Sequence, residues 1–193
     1  MNTLSNTFKS RNRPVSLGKQ RGAATLTDLL LTGGLIIGII AFIFVLYNYA
    51  WPYFKAWRAS TVQLANMSSV NSAYNGASSF AALTTAGVAQ QNIIDLKFLP
   101  GGGVISNYYG GSETFAPATL NGVSNNTQSV TDTGVPRKAC LYHVNMLADA
   151  VDTITVGGTS VKAFGAALDT NAAIAQCNTG DYLTIVSGRI KQS

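Results

Sequence analysis

Residues 21–50 have the sequence RGAATLTDLLLTGGLIIGIIAFIFVLYNYA, and this stretch decides the fold. The segment from Leu29 to Ala50 has no charged side chain along its 22 residues. A helix of that length rises roughly 33 Å at ~1.5 Å per residue, which matches the apolar core of a bilayer. The sequence therefore predicts a long apolar helix that anchors the chain in a membrane.

A basic leader precedes this helix and contains no acidic residue. Its basic residues are Lys9, Arg11, Arg13, Lys19 and Arg21. The chain has 13 basic and 8 acidic residues, so the five in the leader account for the whole net charge of +5. Basic residues before an apolar helix favour retention on the cytoplasmic side. The neutral remainder argues against a sequence-specific nucleic-acid partner.

The apolar segment differs from a cleaved secretory signal. It is longer than the usual apolar core of about 7–15 residues, and no A-x-A-like site follows it. Aromatic and basic residues of the kind found at membrane interfaces end the segment instead. They are Tyr47, Tyr49, Trp51, Tyr53, Lys55, Trp57 and Arg58.

The two cysteines indicate an oxidising compartment. Cys140 and Cys177 lie in the part that is exported if the leader stays inside, so we expect one disulfide between them. His143 is the chain's one histidine, and two cysteines with one histidine and no CxxC spacing fall short of a closed zinc site. We therefore expect no metal or cofactor. A Cys140–His143 dyad is conceivable, but a disulfide would exclude it and leave no catalytic set.

A helical pattern continues beyond the apolar segment to about residue 80, with Pro52 as an expected kink. Its apolar stripe is expected to lie against a sheet. The members of this stripe are Val62, Ala65, Met67, Val70, Ala73, Tyr74, Ala77 and Phe80. Thr84 or Thr85 is expected to cap a short second helix that ends before Pro100.

The remainder predicts short strands and two helices. Strands are expected at residues 104–109, 113–116, 128–132, 154–156, 160–163 and 182–186, with Gly110-Gly111 and Gly157-Gly158 as turns. A helix is expected to begin at Pro136, and a shorter one to be capped by Asp169 or Thr170. Cys140 would then join a helix to the segment before the last strand.

This order of features resembles a type IV pilin precursor. The resemblance rests on Arg21-Gly22 followed by Asp28, the apolar helix, the helical stem, the α/β head and the paired cysteines. The leader of about twenty residues, the non-Phe residue after Gly22 and the Val135–Cys140 segment are similar to the type IVb branch, closest to major pilins of thin conjugative and enteric pili. The resemblance implies an α+β fold with a long N-terminal helix, its hydrophobic half protruding, packed against a small, mostly antiparallel sheet.

The same resemblance implies processing by prepilin peptidase. Cleavage after Gly22 would release a chain that begins at Ala23, whose amine is then N-methylated. The family places an acid at the fifth mature residue, whereas Asp28 would be sixth after this cut. A cut after Ala23 would restore the register, so both positions stay open. Asp28 is expected to offset the buried terminal amine of a neighbouring subunit; alternatively, it is a helix-start acid favoured by the helix dipole.

Glycines interrupt the apolar helix at Gly33, Gly34 and Gly38. Each is less favourable than alanine by ~1 kcal/mol. One interpretation is that they let the helix extend locally when the subunit leaves the bilayer. The other is close packing between helices, for which Gly34 and Gly38 have the GxxxG spacing.

The resulting prediction divides the chain into a leader at 1–22, a hydrophobic helix at 23–54, and a stem helix with the globular head at 55–193. The predicted function is the major subunit of a type IVb pilus, stored in the bacterial inner membrane and polymerised into an extracellular filament for adhesion, cell contact or conjugation. Its expected partners are copies of itself and, by family analogy, prepilin peptidase, an assembly ATPase, an inner-membrane platform and an outer-membrane secretin. The alternatives are a minor pilin, a pseudopilin of a secretion system and a signal-anchored periplasmic binding protein.

Overall fold

The structure is a computed structural model that describes residues 26–191. The leader, Gly22 and Ala23 lie outside the described residues, so leader cleavage and N-methylation stay predictions. The elements in the described part are α1 (Leu26–Ala73), α2 (Thr85–Gln90), a 3₁₀ helix (Leu96–Phe98), β1 (Ile105–Ser106), β2 (Ser112–Leu120), β3 (Val123–Pro136), α3 (Arg137–Leu147), β4 (Thr153–Val156), β5 (Thr159–Lys162), α4 (Thr170–Cys177) and β6 (Tyr182–Ile190).

The chain divides into two compact units between Phe42 and Ile43. The described residues of the first unit, 26–42, all belong to α1. The second unit holds the remainder of α1 and every other described element. Pro52 lies inside α1, and the predicted long N-terminal helix is confirmed. The predicted kink at Pro52 stays a prediction.

The strands form one antiparallel sheet in the order β1-β2-β3-β6-β4-β5. All six lie where the sequence predicts strands, although β1 is shorter and β2, β3 and β6 are longer than expected. Gly157 and Gly158 connect β4 to β5 with φ angles of +57° and +87°, which glycine adopts without a steric penalty. The predicted α+β fold class is confirmed.

The core of the second unit lies between α1, α3 and one face of the sheet. Met67 and Val70 of α1 are buried against this face, as predicted. Ala65, Ala73 and Ala77 are exposed, so the predicted stripe is wrong at these positions. Polar residues fill part of the buried helix face instead, and they are Ser60, Gln63 and Asn66.

α1 ends at Ala73, seven residues before the predicted end near Phe80. The backbone N–H of Phe80 donates to the carbonyl of Asn125 at 2.8 Å, and the Tyr74 hydroxyl donates to the carbonyl of Ala82 at 3.2 Å. These contacts place Phe80 in the core from outside the helix. Tertiary hydrogen bonding therefore overrides the helical spacing in this segment.

Local capping fixes where the shorter helices begin. Thr84 Oγ1 accepts from the N–H of Gly87 at 3.0 Å and caps α2, and Asp169 Oδ1 accepts from the N–H of Ala172 at 2.9 Å and caps α4. α3 begins directly after Pro136, whose fixed φ suits the position before a first helical turn. These helix starts confirm the sequence predictions.

Candidate assembly site

The apolar part of α1 is exposed on all sides. Every large apolar residue from Leu29 to Tyr49 is exposed, with values from 47% at Leu46 to 76% at Leu31 and Tyr49. Among the described helices, α1 alone is long and apolar enough to cross a membrane, with a mean hydropathy of 2.8 in its most apolar window. A surface of this size and composition is stable in water only when another apolar phase covers it.

Asp28 lies in the first turn of α1, and its side chain is exposed. The Thr32 hydroxyl donates to the backbone carbonyl of Asp28 at 2.8 Å. A carboxylate is favourable at this end of a helix. Its predicted role opposite a neighbour's terminal amine needs a second subunit and stays a prediction.

Gly33, Gly34 and Gly38 lie inside α1, and a Cβ atom added at any of them would meet nothing within 4 Å. Nothing within a single copy of the chain therefore requires glycine at these positions. Local extension of the helix and close packing between helices therefore both stay predictions for these three glycines.

The predicted interfacial aromatic residues lie at the end of the apolar part of α1 and directly after it, and all are exposed. Their rings contact one another along the helix: Tyr47 stacks on Trp51 at a centroid distance of 6.0 Å, and Trp51 on Phe54 at 5.9 Å. Tyr53 meets Tyr142 of α3 edge-on at 5.4 Å. The aromatic belt thus extends from α1 to the neighbouring helix of the head.

A buried hydrogen-bond network holds α1 on the head. Gln63 Nε2 donates to Ser187 Oγ of β6 at 2.9 Å, and Gln63 Oε1 is 2.9 Å from His143 Nε2 of α3. The other ring nitrogen of His143, Nδ1, is 3.1 Å from the hydroxyl of Tyr109. One glutamine therefore connects the helix to α3 and to the sheet, and through His143 to the segment between β1 and β2.

The protonation of His143 follows from its partners. Complete burial lowers the pKa of His143 to about 4, so the ring is neutral at pH 7. Because an amide oxygen only accepts, Nε2 carries the single proton and Nδ1 accepts from Tyr109. Burial, and then the nearby carboxylate of Asp132, raise the pKa of Tyr109, so its hydroxyl keeps the proton that it donates.

Two buried acids face each other across β2 and β3. Glu113 and Asp132 are register partners, and both are 2% exposed. Asn66 of α1 donates to both carboxylate oxygens of Glu113, at 3.0 and 3.2 Å. Burial, and then the opposing Asp132, raise the pKa of Glu113 to about 8; burial raises the pKa of Asp132 to about 7. At least one of the two carboxyl groups is therefore protonated near neutral pH, since two buried like charges oppose each other.

Sequence reasoning missed both the hydrogen-bond network and the acid pair. A signal for the pair existed, because alternation along β2 places Glu113 on the same face as the apolar Phe115. For Gln63 the signal was its spacing of four residues from the buried Met67, and for Asn66 its spacing of four residues from the buried Val70.

Cys140 of α3 and Cys177 of α4 form the predicted disulfide, with their Cα atoms 5.6 Å apart. Cys140 therefore has no free thiolate, and the Cys140–His143 dyad is excluded. Among residues 26–191, no three His, Cys, Asp or Glu side chains lie together as a metal site.

Residues 56–188 match the protein family described as PilS N terminal. The chain belongs to this family. The match begins in α1 and ends in β6. In this PilS N-terminal family member, the matched residues include the buried hydrogen-bond network, the two buried acids and the disulfide.

Two solved structures of pilins are similar to this PilS N-terminal family member. The type IV b pilin from Salmonella typhi is 18% identical, with a TM-score of 0.52 over 70% of this chain and 99% of the pilin chain. TcpA, a type IV pilin from Vibrio cholerae El Tor biotype, is 17% identical, with a TM-score of 0.47 over 68% of this chain and 99% of its own. The first likeness shows that the fold is that of a type IV pilin. A search of curated protein sequences found no match.

Proposed function

We propose that this PilS N-terminal family member is the major structural subunit of a type IVb pilus and polymerises through α1. The observation that carries the proposal is the exposed, uncharged surface of α1 between Leu29 and Ala50, attached to a head with the pilin fold. Copies that bury this surface among themselves form a contact that repeats without closing, which produces a filament. In this role the chain is a structural protein and not an enzyme.

The proposal includes the processing steps that the leader implies. Prepilin peptidase removes residues 1–22 after Gly22, and the amine of Ala23 is methylated. Residues 23–54 then form the membrane anchor and later the filament core, and residues 55–193 form the stem and head. Asp28 offsets the terminal amine of a neighbouring subunit, because an unpaired charge in an apolar core is costly.

The proposed route runs from the inner membrane to an extracellular filament. Burial of α1 among other copies replaces its burial in lipid, so extraction requires external work. A cytoplasmic ATPase, an inner-membrane platform and an outer-membrane secretin would supply that work and the exit path. The buried network around Gln63 keeps the head fixed to α1 during this transfer.

Cleavage at Gly22 is tested by adding a side chain there. Gly22→Val removes the close backbone approach that glycine permits, so we expect the precursor to persist and surface filaments to disappear. Gly18→Val makes the same change inside the leader and serves as the matched control. Immunoblots of whole cells and of sheared filaments give both readouts. Normal filaments made from Gly22→Val would contradict cleavage at this position.

A further inference from the structure

Basic residues from two separate elements lie together where α1 meets the head. Lys55 and Arg58 belong to α1, and Arg137 and Lys138 form the start of α3. Lys55, Arg137 and Lys138 line one groove of about 710 Å³. These four residues, called the basic collar below, are half of the eight basic residues that follow the leader.

Contacts within the chain give little stabilisation to the positive charges of the basic collar. Arg137 and Lys138 occupy the first turn of α3, where the helix dipole disfavours cations. Arg137 donates to Asn178 Oδ1 at 3.0 and 3.1 Å, but Lys138 is exposed and reaches only Asn48 Oδ1, at 3.5 Å. Among the residues lining the groove, Asp181 is the acid, so positive charge exceeds negative charge there.

The contact between Lys138 and Asn48 shows at which level along α1 the basic collar lies. Asn48 lies inside the uncharged segment that ends at Ala50. When that segment spans a bilayer, Lys138 is held at the boundary between the apolar core and the headgroups. Lys55 and Arg58 follow Ala50 by five and eight residues, a rise of roughly 8 and 12 Å, which places them in or just above the headgroup layer.

A second groove, of about 610 Å³, has the composition of a lipid site. Phe44, Val45 and Tyr49 form its apolar wall, and Lys138 stands at its edge. Such a groove can hold the upper part of an acyl chain against the aromatic and aliphatic wall while the cation meets the phosphate. Lysine is a point charge suited to this contact.

We propose that the basic collar and these two grooves bind an anionic phospholipid of the membrane in which the subunit is stored. The proposal rests on the proposed membrane-anchored precursor, since only a spanning α1 brings lipid headgroups to this level. Anionic headgroups supply the counter-charge that the collar lacks. A second copy does not supply it from its apolar segment, because residues 29–50 carry no charge.

The chain contains its own fluorescent probes for this site. Its two tryptophans, Trp51 and Trp57, have Lys55 Nζ and the Arg58 guanidinium at 5.8 and 5.4 Å from their rings. The full chain is placed in nanodiscs of phosphatidylcholine that contain a small share of nitroxide-labelled lipid. The label sits at the same acyl position in phosphatidylglycerol and in phosphatidylcholine, so the two quenchers differ only in the headgroup.

One Lys or Arg near an anionic surface contributes about a fivefold gain in association, so we expect labelled phosphatidylglycerol to quench about fivefold more per label at low salt. High salt reduces this preference. Lys55→Gln/Lys138→Gln removes two of the four collar cations and should lower the ratio of the two quenchers several-fold toward one. The matched control, Lys97→Gln/Lys191→Gln, removes the same charge elsewhere: Lys97 pairs with Asp95, and Lys191 contacts the carbonyl of Asn75 near the end of α1. It should keep the preference.

Equal quenching by both lipids in the wild-type chain, or the same loss in the control variant, would overturn the proposal. A preference that occurs only in discs holding two chains would show that the lipid site requires a second copy, which also overturns it. Whether the chain stays in the disc distinguishes a failure of this proposal from a failure of the proposed function. A chain that does not stay in phosphatidylcholine discs contradicts membrane storage, whereas a retained chain without headgroup preference contradicts the lipid site alone.

Discussion

Glu113 and Asp132 make the stability of the head depend on pH in a direction opposite to that of most exposed carboxylates. The pKa of each is raised on folding, to about 8 and about 7, from ordinary values of 4.5 and 3.8. Between the unfolded and folded values, the folded state binds more protons than the unfolded state. The free energy of unfolding therefore falls as pH rises, by about 1.4 kcal/mol per pH unit for each extra proton.

His143 acts in the opposite sense at lower pH. Its pKa falls on folding from 6.5 to about 4, so the unfolded state carries the extra proton between these values. The titration of His143 therefore makes the free energy of unfolding increase as the pH rises to about 6.5, which offsets part of the decline caused by Glu113 and Asp132. The steepest net loss is therefore expected between pH 6.5 and 8, where about 2 kcal/mol should disappear if one proton is released.

The perturbation is the isosteric double substitution Glu113→Gln/Asp132→Asn. It keeps a side-chain oxygen that accepts from Asn66 but removes both protons, so the decline between pH 6.5 and 8 should vanish. Only the rise due to His143 should remain below pH 6.5. Urea unfolding of the full chain in detergent micelles, followed by near-ultraviolet circular dichroism across this pH range, measures both slopes.

Asp95→Asn is the matched control, because Asp95 is exposed and pairs with Lys97. It makes the same carboxyl-to-amide change on the surface and should keep the wild-type slope above pH 6.5. The reasoning would be refuted if wild-type stability stayed constant or rose between pH 6.5 and 8. It would also be refuted if the double variant kept the decline.

Three further substitutions test how the head is held together. Replacing Cys140 and Cys177 with serine, which opens a loop between residues 37 positions apart, should lower the free energy of unfolding by about 4 kcal/mol in urea titrations. Gln63→Leu leaves His143 Nε2 without its glutamine partner and should lower it by about 1–3 kcal/mol in the same assay. Gly111→Ala should prevent folding or lower the thermal midpoint strongly, because the added Cβ would overlap a backbone carbonyl of β3.

Two of these changes have a matched control variant. Gln90→Leu alters an exposed glutamine and should change stability by less than about 0.5 kcal/mol. Gly76→Ala adds a Cβ where nothing lies within 4 Å and should be tolerated. If Gln63→Leu matched Gln90→Leu, the network would not hold α1 to the head. A disulfide loss below about 1 kcal/mol would contradict the chain-entropy account.

Features encoded by local chemistry could be predicted from the sequence. The segment from Leu29 to Ala50 determines the apolar helix, because it has no charged side chain and most of its residues are apolar. Thr84 and Asp169 mark helix starts because their side chains accept from the first free N–H groups. The disulfide followed from the cysteine count together with the predicted export.

Features that depend on distant partners could not be predicted in the same way. Gln63 and Asn66 are buried only because Ser187, His143 and Glu113 satisfy their amides from other elements. No local pattern reports those partners. The end of α1 at Ala73 similarly depends on a tertiary hydrogen bond of Phe80. Polar residues are therefore buried wherever a long-range hydrogen bond offsets the cost of removing them from water.

Intact-mass spectrometry of filaments sheared from the cell surface tests the central claim most directly. The account predicts that the main component has the mass of a chain that begins at Ala23, with one disulfide and one added methyl group. Filaments in which this chain is only a trace component would contradict the major-subunit role. Recovery of the chain only in the membrane fraction, with its leader intact, would contradict polymerisation altogether.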